Sequence, residues 1–283
     1  MSELKILYQD KNLIALNKPA GLLVHPARSR TPDDASATSN GARPTATNTE
    51  KTLSDWLVKK YPEIKNVGDP SIIRQAHDGE HRRTMHSGQV TQNRPGIVHR
   101  LDKDTSGIII IARNQKYFEY LKKLFQEHKI KKTYLALVWG EIKNKKGVIE
   151  KPIFLKPGTI KRTVHKGKME KSAITEYEKV TSYKLQVTSK NKAKEEVFTL
   201  LKIIPRTGRT HQIRVHLASI GHPVIGDSLY GPKKNPLGLE RQFLHAKSLE
   251  FNLAEGKRIK IEADLPKELQ KVLDGLESVH HQS

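Results

Sequence analysis

The chain has 283 residues, which is enough for one large domain or two small ones, and 36% of them are hydrophobic, so it can build a core. Its 51 Lys and Arg against 30 Asp and Glu give a formal net charge of +21, which points to a polyanionic partner and to nucleic acid first. The sequence contains no Cys, which excludes a disulfide scaffold, a Cys-ligated zinc site and a thiol nucleophile.

The amino-terminal part begins with two predicted strands, followed by a segment of different composition. Residues 6–8 and 13–17 are short apolar runs separated by turn residues, which predicts a strand pair. Residues 27–50 are rich in Ser, Thr, Ala, Pro and Asn and show no apolar periodicity, so they predict a mobile insertion. A capping signature at Thr52 then predicts a short amphipathic helix over residues 52–61.

A second polar stretch, residues 69–93, contains the three histidines His77, His81 and His86. Their spacings of four and five suggest metal ligands, but they lie beside glycines in a polar context. We therefore expect a second mobile insertion here and no metal site.

The remaining elements alternate buried strands and amphipathic helices. Residues 107–112 form a β-branched run that is typical of a fully buried strand, and residues 133–139 predict another strand. Apolar side chains at helical spacing predict helices over residues 117–128, 210–220 and 266–276.

Positive charge is concentrated in residues 121–170, which hold 14 Lys or Arg and four acids. A charge run is often only a solvated face. Here the aromatic residues Tyr134, Trp139 and Phe154 interrupt it, which favours a groove for a polyanion.

No targeting or membrane segment is expected. The first twenty residues interleave charged and apolar side chains, and the longest strongly apolar run covers only residues 108–112. The sequence therefore predicts a cytoplasmic protein without a membrane span.

Three segments place charged or hydrogen-bonding residues beside a buried element or a helix start. They are GIVHRLDKDTSGIIIIAR (96–113), KKTYLALVWG (131–140) and TGRTHQIRVHLASIGHPVIGDSLYG (207–231). Residues 97–98 of the first are expected to form a strand. Taken singly, the segments fit a loop stabilised by Asp hydrogen bonds, a strand with basic residues before it, and a phosphate clamp at an electropositive helix start.

Together and in this order, with LNKPAGLLVHP (16–26) before them and FLHA (243–246) after them, the segments resemble the RluA-type family of RNA pseudouridine synthases. The resemblance covers residues 4–266 apart from the two insertions. It implies one α+β catalytic domain with the pseudouridine synthase fold: a mixed, largely antiparallel central sheet, flanking helices and a basic cleft. We expect no S4-type RNA-binding domain in front of it, although some relatives carry one.

The resemblance makes Asp102, Tyr134 and Arg214 the catalytic residues of a reaction that needs no cofactor and no metal. Pseudouridine formation breaks the N1–C1′ bond of a uridine, turns the uracil and joins its C5 to the same C1′. An ionised carboxylate can attack C1′ or remove the C2′ proton, so Arg214 is expected to pair with Asp102 and keep it ionised. Tyr134 is expected to stack on the flipped uracil, with its phenol near C5 as a candidate base.

The same resemblance implies how the RNA is held. Arg100 is expected to fill the gap left by the extruded uridine, because a planar guanidinium can both stack and hydrogen-bond there. Further RNA contacts are expected from His99, Lys131, Lys132, Arg206 and Arg209. Pocket support is expected from Lys18, Pro19 and Leu244.

The sequence thus predicts a monomeric enzyme that isomerises uridines in structured RNA, either rRNA or tRNA. One alternative is a non-catalytic RNA-binding or RNA-folding module, but the intact set Asp102, Tyr134 and Arg214 argues against it. Another is a glycosidase-like hydrolase, which needs a second acid at roughly 5 to 10 Å. Within the motifs only Asp104 offers one, and a turn role is expected for it.

Overall fold

The fold is built on strands that come from every part of the chain. The computed structural model describes residues 3–25, 51–68, 94–159, 161–189, 192–233 and 235–279. Its strands are β1 (Lys5–Gln9), β2 (Leu13–Lys18), β3 (Ser106–Ala112), β4 (Lys131–Trp139), β5 (Lys146–Glu150), β6 (Ile153–Leu155), β7 (Arg162–Thr163), β8 (Lys168–Lys171), β9 (Ile174–Ser189), β10 (Lys192–Pro205), β11 (Leu244–Asn252), β12 (Arg258–Glu262) and β13 (Glu277–Val279). The helices are α1 (Leu53–Lys60), α2 (Gln115–Gln126), α3 (Gln212–Ser219) and α4 (Lys267–Asp274), with a 3₁₀ helix at Pro62–Asn66.

The main sheet has ten strands in the order β1-β2-β3-β11-β4-β10-β9-β13, with β12 paired to β11 and β5 paired to β9. Strands β3 and β11 run parallel, and the other described pairs are antiparallel. Strands β7, β6 and β8 form a separate small sheet. The predicted α+β fold with a mixed, largely antiparallel sheet is confirmed.

Two hydrophobic clusters flank the centre of the sheet. Strands β2 and β3 pack with α1 and α2 in the first, and every residue of β3 is buried, as the β-branched sequence predicted. Strands β4 and β10 pack with α3 and α4 in the second. In α4 the predicted apolar stripe is confirmed, because Leu269 is buried and Val272 and Leu273 pack partly buried against the same cluster, while the buried Leu276 follows the end of the helix. None of the described helices combines the length and the apolar character needed to cross a bilayer.

Helix α1 begins with the capping box that the sequence predicted. The Asp55 backbone N–H donates to Thr52 Oγ1 at 3.3 Å, and the Thr52 N–H donates to Asp55 Oδ2 at 2.8 Å. This reciprocal pair satisfies two of the donors that a helix start leaves free.

Backbone hydrogen bonds join the chain on either side of both predicted insertions. The N–H of Leu53 donates to the Leu23 carbonyl at 2.8 Å, and the N–H of Gly96 donates to the Val67 carbonyl at 2.7 Å. The insertions predicted at residues 27–50 and 69–93, including the histidine-rich stretch, lie outside the described residues.

The helices predicted over residues 117–128 and 266–276 cover Gln115–Gln126 and Lys267–Asp274, and two further predictions differ from the structure. Residues 97–98 do not form a strand, because Ile97 makes only an isolated bridge to Ile111. The helix predicted from residue 210 begins at Gln212, since His211 has a left-handed backbone with φ 56° and ψ 17°.

Gly107 lies where β3 and β11 approach each other closely, so a substitution at this residue tests the contact between the two strands. It has φ +114°, and a Cβ there would lie 2.3 Å from the Ala246 carbonyl oxygen and 2.7 Å from the Ala246 nitrogen. We expect Gly107→Ala to lower the free energy of unfolding by about 3 kcal/mol or more, because backbone strain and overpacking add. The measurement is urea denaturation.

Gly238→Ala is the matched control, since Gly238 has φ +64° and nothing within 4 Å of the added Cβ. It should cost only about 1–2 kcal/mol for the left-handed conformation. Equal losses in the two variants would show that the approach of β3 to β11 imposes no constraint of its own.

Candidate active site

A cleft of about 630 Å³ is lined by the loop before β3, by α2, by β4 and by the turn between β10 and α3. Asp102 is the one carboxylate among the described residues of this lining. Within the described ranges, no three His, Cys, Asp or Glu side chains are grouped so that they could hold a metal ion. The cationic side chains of the lining are Arg94, Arg100, Lys122, Lys132, Arg209 and Arg214.

Asp102 lies on a tight loop that is tied to the segment before β11. The Thr105 N–H donates to the Asp102 carbonyl at 3.1 Å and closes the loop. Arg241 Nη1 donates to the Asp104 carbonyl at 3.2 Å, and Gln242 Nε2 donates to Thr105 Oγ1 at 3.0 Å. Asp104 therefore has the turn role that the sequence predicted.

Lys18 ties the same loop to the end of β2. Its fully buried ammonium donates to the carbonyls of Pro19, Leu22 and Lys103, each at 2.8 Å. Burial lowers the pKa of Lys18 to about 7, against the opposing charges of nearby acids. Neither Lys18 nor Pro19 lines the cleft. Lys18 therefore joins Pro19 to the loop of Asp102 from outside the cleft lining.

Arg214, on the first turn of α3, joins two carboxylates. Its Nη1 donates to Asp102 Oδ2 at 3.0 Å, while its Nε and Nη2 donate to the two oxygens of Asp227 at 2.6 and 2.8 Å. Burial alone would lower the pKa of Arg214, but the hydrogen bond and charge of Asp227, followed by the charge of Asp102, raise it above its usual value. The guanidinium is therefore fixed in orientation and stays charged.

Asp227 is a functional residue that the sequence reasoning missed. Its side chain is fully buried, and its Oδ1 also accepts the backbone N–H groups of Leu229 and Tyr230 at 2.9 and 3.1 Å. Its position in the GDSLYG part of the third motif was the available signal. Because it is closed off from solvent, Asp227 can orient Arg214 but cannot protonate a leaving group.

Tyr134 lies on β4 and lines the cleft together with Leu244 at the start of β11. Burial, with a smaller contribution from the charge of Asp102, raises the pKa of Tyr134 well above its usual range. The side chain is thus a neutral phenol at neutral pH. This state suits stacking against a base better than removal of a proton by a phenolate.

His99 lines the cleft, but its ring is already engaged. It stacks on Phe125 with centroids 4.7 Å apart, and its Nε2 accepts the Ile110 N–H at 2.9 Å. Burial, followed by the charge of Lys132, lowers the pKa of His99 to about 3. His99 is therefore neutral and anchors the loop before Asp102 to β3.

Three of the basic residues predicted to contact RNA line the cleft. Arg100 is exposed there, Lys132 Nζ donates to the Thr207 carbonyl at 3.3 Å, and Arg209 Nε donates to the Ser172 carbonyl at 3.0 Å.

The other two predicted RNA contacts lie outside the cleft lining. Lys131 is exposed and faces Glu250 at 4.0 Å, and the exposed Arg206 donates to Glu176 at 2.7 Å. Their contact with RNA stays a prediction.

Gln212 sets the start of α3 beside the cleft. Its Oε1 accepts the Arg209 N–H at 3.0 Å and the Thr207 hydroxyl at 2.7 Å, and its Nε2 donates to the Ile174 carbonyl at 2.9 Å. The buried amide therefore joins the end of β10, the start of β9 and the helix that carries Arg214.

The chain resembles known proteins over most of its length. A model of the RNA pseudouridylate synthase family matches residues 12–219. The chain is 34% identical over 289 residues to the ribosomal large subunit pseudouridine synthase D of Nitrosomonas europaea, covering 99% of this chain and 67% of that protein. It is 35% identical to an Aquifex aeolicus protein named an uncharacterized RNA pseudouridine synthase, covering 84% of this chain but only 59% of the relative.

Solved structures show the same fold. Human RNA pseudouridylate synthase domain containing 1 superposes with a TM-score of 0.66 at 21% identity, covering 99% of this chain and 91% of that one. Human RNA pseudouridylate synthase domain containing 4 gives a TM-score of 0.59 at 22% identity, covering 95% and 91%. The architecture is therefore that of a pseudouridylate synthase domain. With the family model matched over residues 12–219, the chain belongs to the RNA pseudouridylate synthase family.

The contact between Asp227 and Arg214 gives a test of the site. We expect Asp227→Asn to lower turnover by about 100-fold, since a small displacement of a positioned group has effects of this size. RNA affinity should stay within a few-fold, because Asp227 is closed off from the cleft. The measurements are single-turnover kinetics, filter binding and the urea midpoint.

Glu176→Gln is the control, because Glu176 holds Arg206 in a solvent-exposed ion pair away from the cleft. It should leave turnover unchanged. Wild-type turnover in a folded Asp227→Asn protein would show that Asp102 alone orients Arg214.

Proposed function

We propose that this protein converts uridine to pseudouridine in structured RNA, with large-subunit rRNA as its substrate. The observation that carries the proposal is the cleft itself, in which the one described carboxylate, Asp102, is held by Arg214 among basic side chains. The rRNA assignment is supported by the name of the Nitrosomonas relative. The predicted monomeric state and cytoplasmic location belong to the same proposal.

The chemistry needs one reactive carboxylate and room for a base to turn. Asp102 attacks C1′ or removes the C2′ proton, the N1–C1′ bond breaks and the electron pair leaves with the uracil. The uracil then turns and its C5 bonds to C1′, while the bond between Asp102 and C1′ breaks or the C2′ proton is returned. C5 loses its proton and N1 gains one. The substrate and the product have the same atoms, so the reaction requires no oxidant, reductant or co-reactant.

The base must leave the RNA stack before it reaches Asp102, at a cost of a few kcal/mol. Arg100 is exposed at the mouth of the cleft, next but one to Asp102, which supports its role as the side chain that fills the vacated position. Tyr134 and Leu244 supply an aromatic and an aliphatic wall for the extruded uracil.

The described residues of the site argue against both alternatives. A glycosidase-like hydrolase needs a second acid with access to the leaving group, and Asp227 is buried against Arg214. A purely RNA-binding module gains nothing from an anion in a cationic cleft, where it repels phosphates.

Asp102→Asn tests the proposal. We expect it to abolish tritium release from large-subunit rRNA transcripts labelled at uridine C5, while RNA affinity stays within a few-fold because the basic side chains supply the binding. Residual turnover near the wild-type rate would falsify the assignment of Asp102. Binding without turnover in the wild-type protein as well would favour the RNA-binding module.

Lys132 and Lys131 are neighbours that test where the RNA backbone lies. Neutralising Lys132 by Lys132→Gln should reduce the slope of log Kd against log salt by about 0.7 to 0.9, the contribution of one phosphate contact. Lys131→Gln is the matched comparison, since Lys131 lies outside the cleft. An unchanged slope would remove its predicted RNA contact, whereas an equal fall would extend the RNA path to the exposed side of β4.

The pKa of Lys132 predicts that the salt dependence of RNA binding changes with pH. Burial, together with the charge of Arg209, lowers the pKa of Lys132 to about 8, so this side chain is cationic at pH 6.5 and mostly neutral at pH 9.5. The difference in slope between the wild type and Lys132→Gln should therefore shrink as the pH rises. If Lys131→Gln changes the slope more than Lys132→Gln, the RNA backbone follows a different face of β4.

A further inference from the structure

His211 occupies a strained position at the edge of the catalytic centre. It precedes α3 with φ 56°, a left-handed conformation that L-residues other than Gly, Asn and Asp rarely adopt. Its ring lines the cleft, as do Asp102 and Arg214. Strain of this kind persists only where surrounding contacts hold it, and it often marks a functional group.

Tyr230 fixes which nitrogen of His211 carries the proton. The Arg162 backbone N–H donates to Tyr230 Oη at 2.7 Å, and Tyr230 Oη lies 3.0 Å from His211 Nδ1. Since the phenol oxygen accepts from Arg162, its own O–H has His211 Nδ1 as its acceptor among the described residues. With the Tyr230 O–H as the donor to His211 Nδ1, the hydrogen of the neutral ring is on Nε2.

Tyr230 is itself held in place by the central ion-pair network. The Arg214 guanidinium lies over its ring at 5.3 Å from the centroid, and its backbone N–H donates to Asp227. Within the described part of the chain, His211 Nε2 has no protein hydrogen-bond partner, and His211 is one of the residues that line the cleft. The arrangement presents one oriented, neutral N–H to a bound molecule.

We propose that His211 is a further catalytic residue, which donates its Nε2–H to a carbonyl oxygen of the flipped uracil and stabilises the uracil as it leaves C1′. This inference rests on the proposed pseudouridine synthase function. It assigns to His211 a contact with the base, in addition to the contacts of Asp102 with the ribose.

The chemistry of the donor favours the uracil over a phosphate. A phosphate is best bound by cations, which the cleft supplies in Arg94, Arg100, Lys122 and Lys132. A neutral N–H matches a carbonyl oxygen, whose negative charge grows only when the N1–C1′ bond breaks. A preorganised donor of this kind stabilises the transition state more than the ground state.

The step balances without a co-reactant. The electron pair of the N1–C1′ bond moves into the uracil ring and is shared with its carbonyl oxygens, and Asp102 forms the new bond at C1′ or takes the C2′ proton. His211 keeps its proton throughout. When C5 bonds to C1′, the electron pair of the uracil anion forms the new bond, while the bond between Asp102 and C1′ breaks or the C2′ proton is returned. The ring is then neutral, its hydrogen bond with His211 weakens, and C5 loses its proton while N1 gains one.

The charges around His211 are consistent with a neutral donor. Burial is the largest influence and lowers the pKa of His211, and the charges of Arg214 and Arg162 act in the same direction. The charges of Asp102 and Asp227 oppose them. The net effect keeps the ring uncharged at neutral pH.

Two variants separate a hydrogen-bond role from a backbone role. His211→Gln can place an amide N–H near the position of Nε2, whereas His211→Asn tolerates the left-handed backbone better but is too short to reach the base. If the donor matters, His211→Gln keeps the single-turnover rate within about 10-fold, and His211→Asn loses about 100-fold, the usual effect of removing one such donor. If only the backbone matters, the order is reversed, and this result would overturn the proposal.

If both variants are slow, a second substrate distinguishes loss of the hydrogen bond to the base from a backbone effect. RNA carrying 5-fluorouridine at the target has a better leaving base, because fluorine stabilises the uracil anion. Its consumption can be followed by nuclease digestion and chromatography. Loss of a donor to the leaving base should slow this substrate less than it slows uridine, whereas equal slowing of both substrates would exclude the proposed contact.

The controls distinguish this proposal from the proposed function. Urea midpoints report whether the variants fold, and filter binding reports whether they hold RNA. Tritium release by the wild type and none by Asp102→Asn shows that the protein is a pseudouridine synthase, whatever the His211 variants do. Absence of release by the wild type would instead refute the proposed function.

Discussion

The guanidinium of Arg214 binds a loop that precedes β3 to a turn that follows α3, because it hydrogen-bonds Asp102 and Asp227 together. Its side chain and that of Asp227 are almost fully closed off from water. Removing charges from water is costly, and the cost is offset only when every donor and acceptor is satisfied. Here Asp227 accepts two guanidinium N–H groups and two backbone N–H groups, so the arrangement tolerates little displacement.

The segments that carry Asp102 and Arg214 are also held in place by hydrogen bonds. Lys18, Arg241 and Gln242 hold the loop of Asp102 from two sides, and Gln212 holds the start of the helix that carries Arg214. Each of these polar groups is hydrogen-bonded to backbone or side-chain atoms of a different segment. The site is therefore positioned by a fixed polar framework, as preorganised electrostatic catalysis requires.

The sequence predicted correctly the elements that are formed by residues close together in the chain. The capping box of α1 and the buried strand β3 are examples, because the residues that form them are neighbours in sequence. The start of α3 was predicted two residues too early, since His211 has a left-handed backbone and its side chain makes a tertiary contact with Tyr230, neither of which local sequence signals. The long hairpin of β9 and β10 was not predicted, because its charged, half-exposed strands lack a clear apolar alternation.

The residues of the site were likewise predicted only in part. Resemblance to a family indicated Asp102 and Arg214 as a pair, and the structure has them in contact. Asp227 was missed because an Asp between Gly226 and Ser228 has the sequence of an ordinary turn residue. Lys131 and Lys132 look equivalent in the sequence, but successive residues of a strand point to opposite faces, so only Lys132 reaches the cleft.

The hydrogen bonds from Leu53 to Leu23 and from Gly96 to Val67 have an evolutionary consequence. Leu23 and Leu53 enclose 29 residues and Val67 and Gly96 enclose 28, and the two hydrogen bonds close the described domain at these positions. Loop-closure entropy rises only with the logarithm of length, and each doubling costs about 0.6 kcal/mol. Sequences descended from this one can therefore change the length of either stretch at a small entropic cost to the described domain.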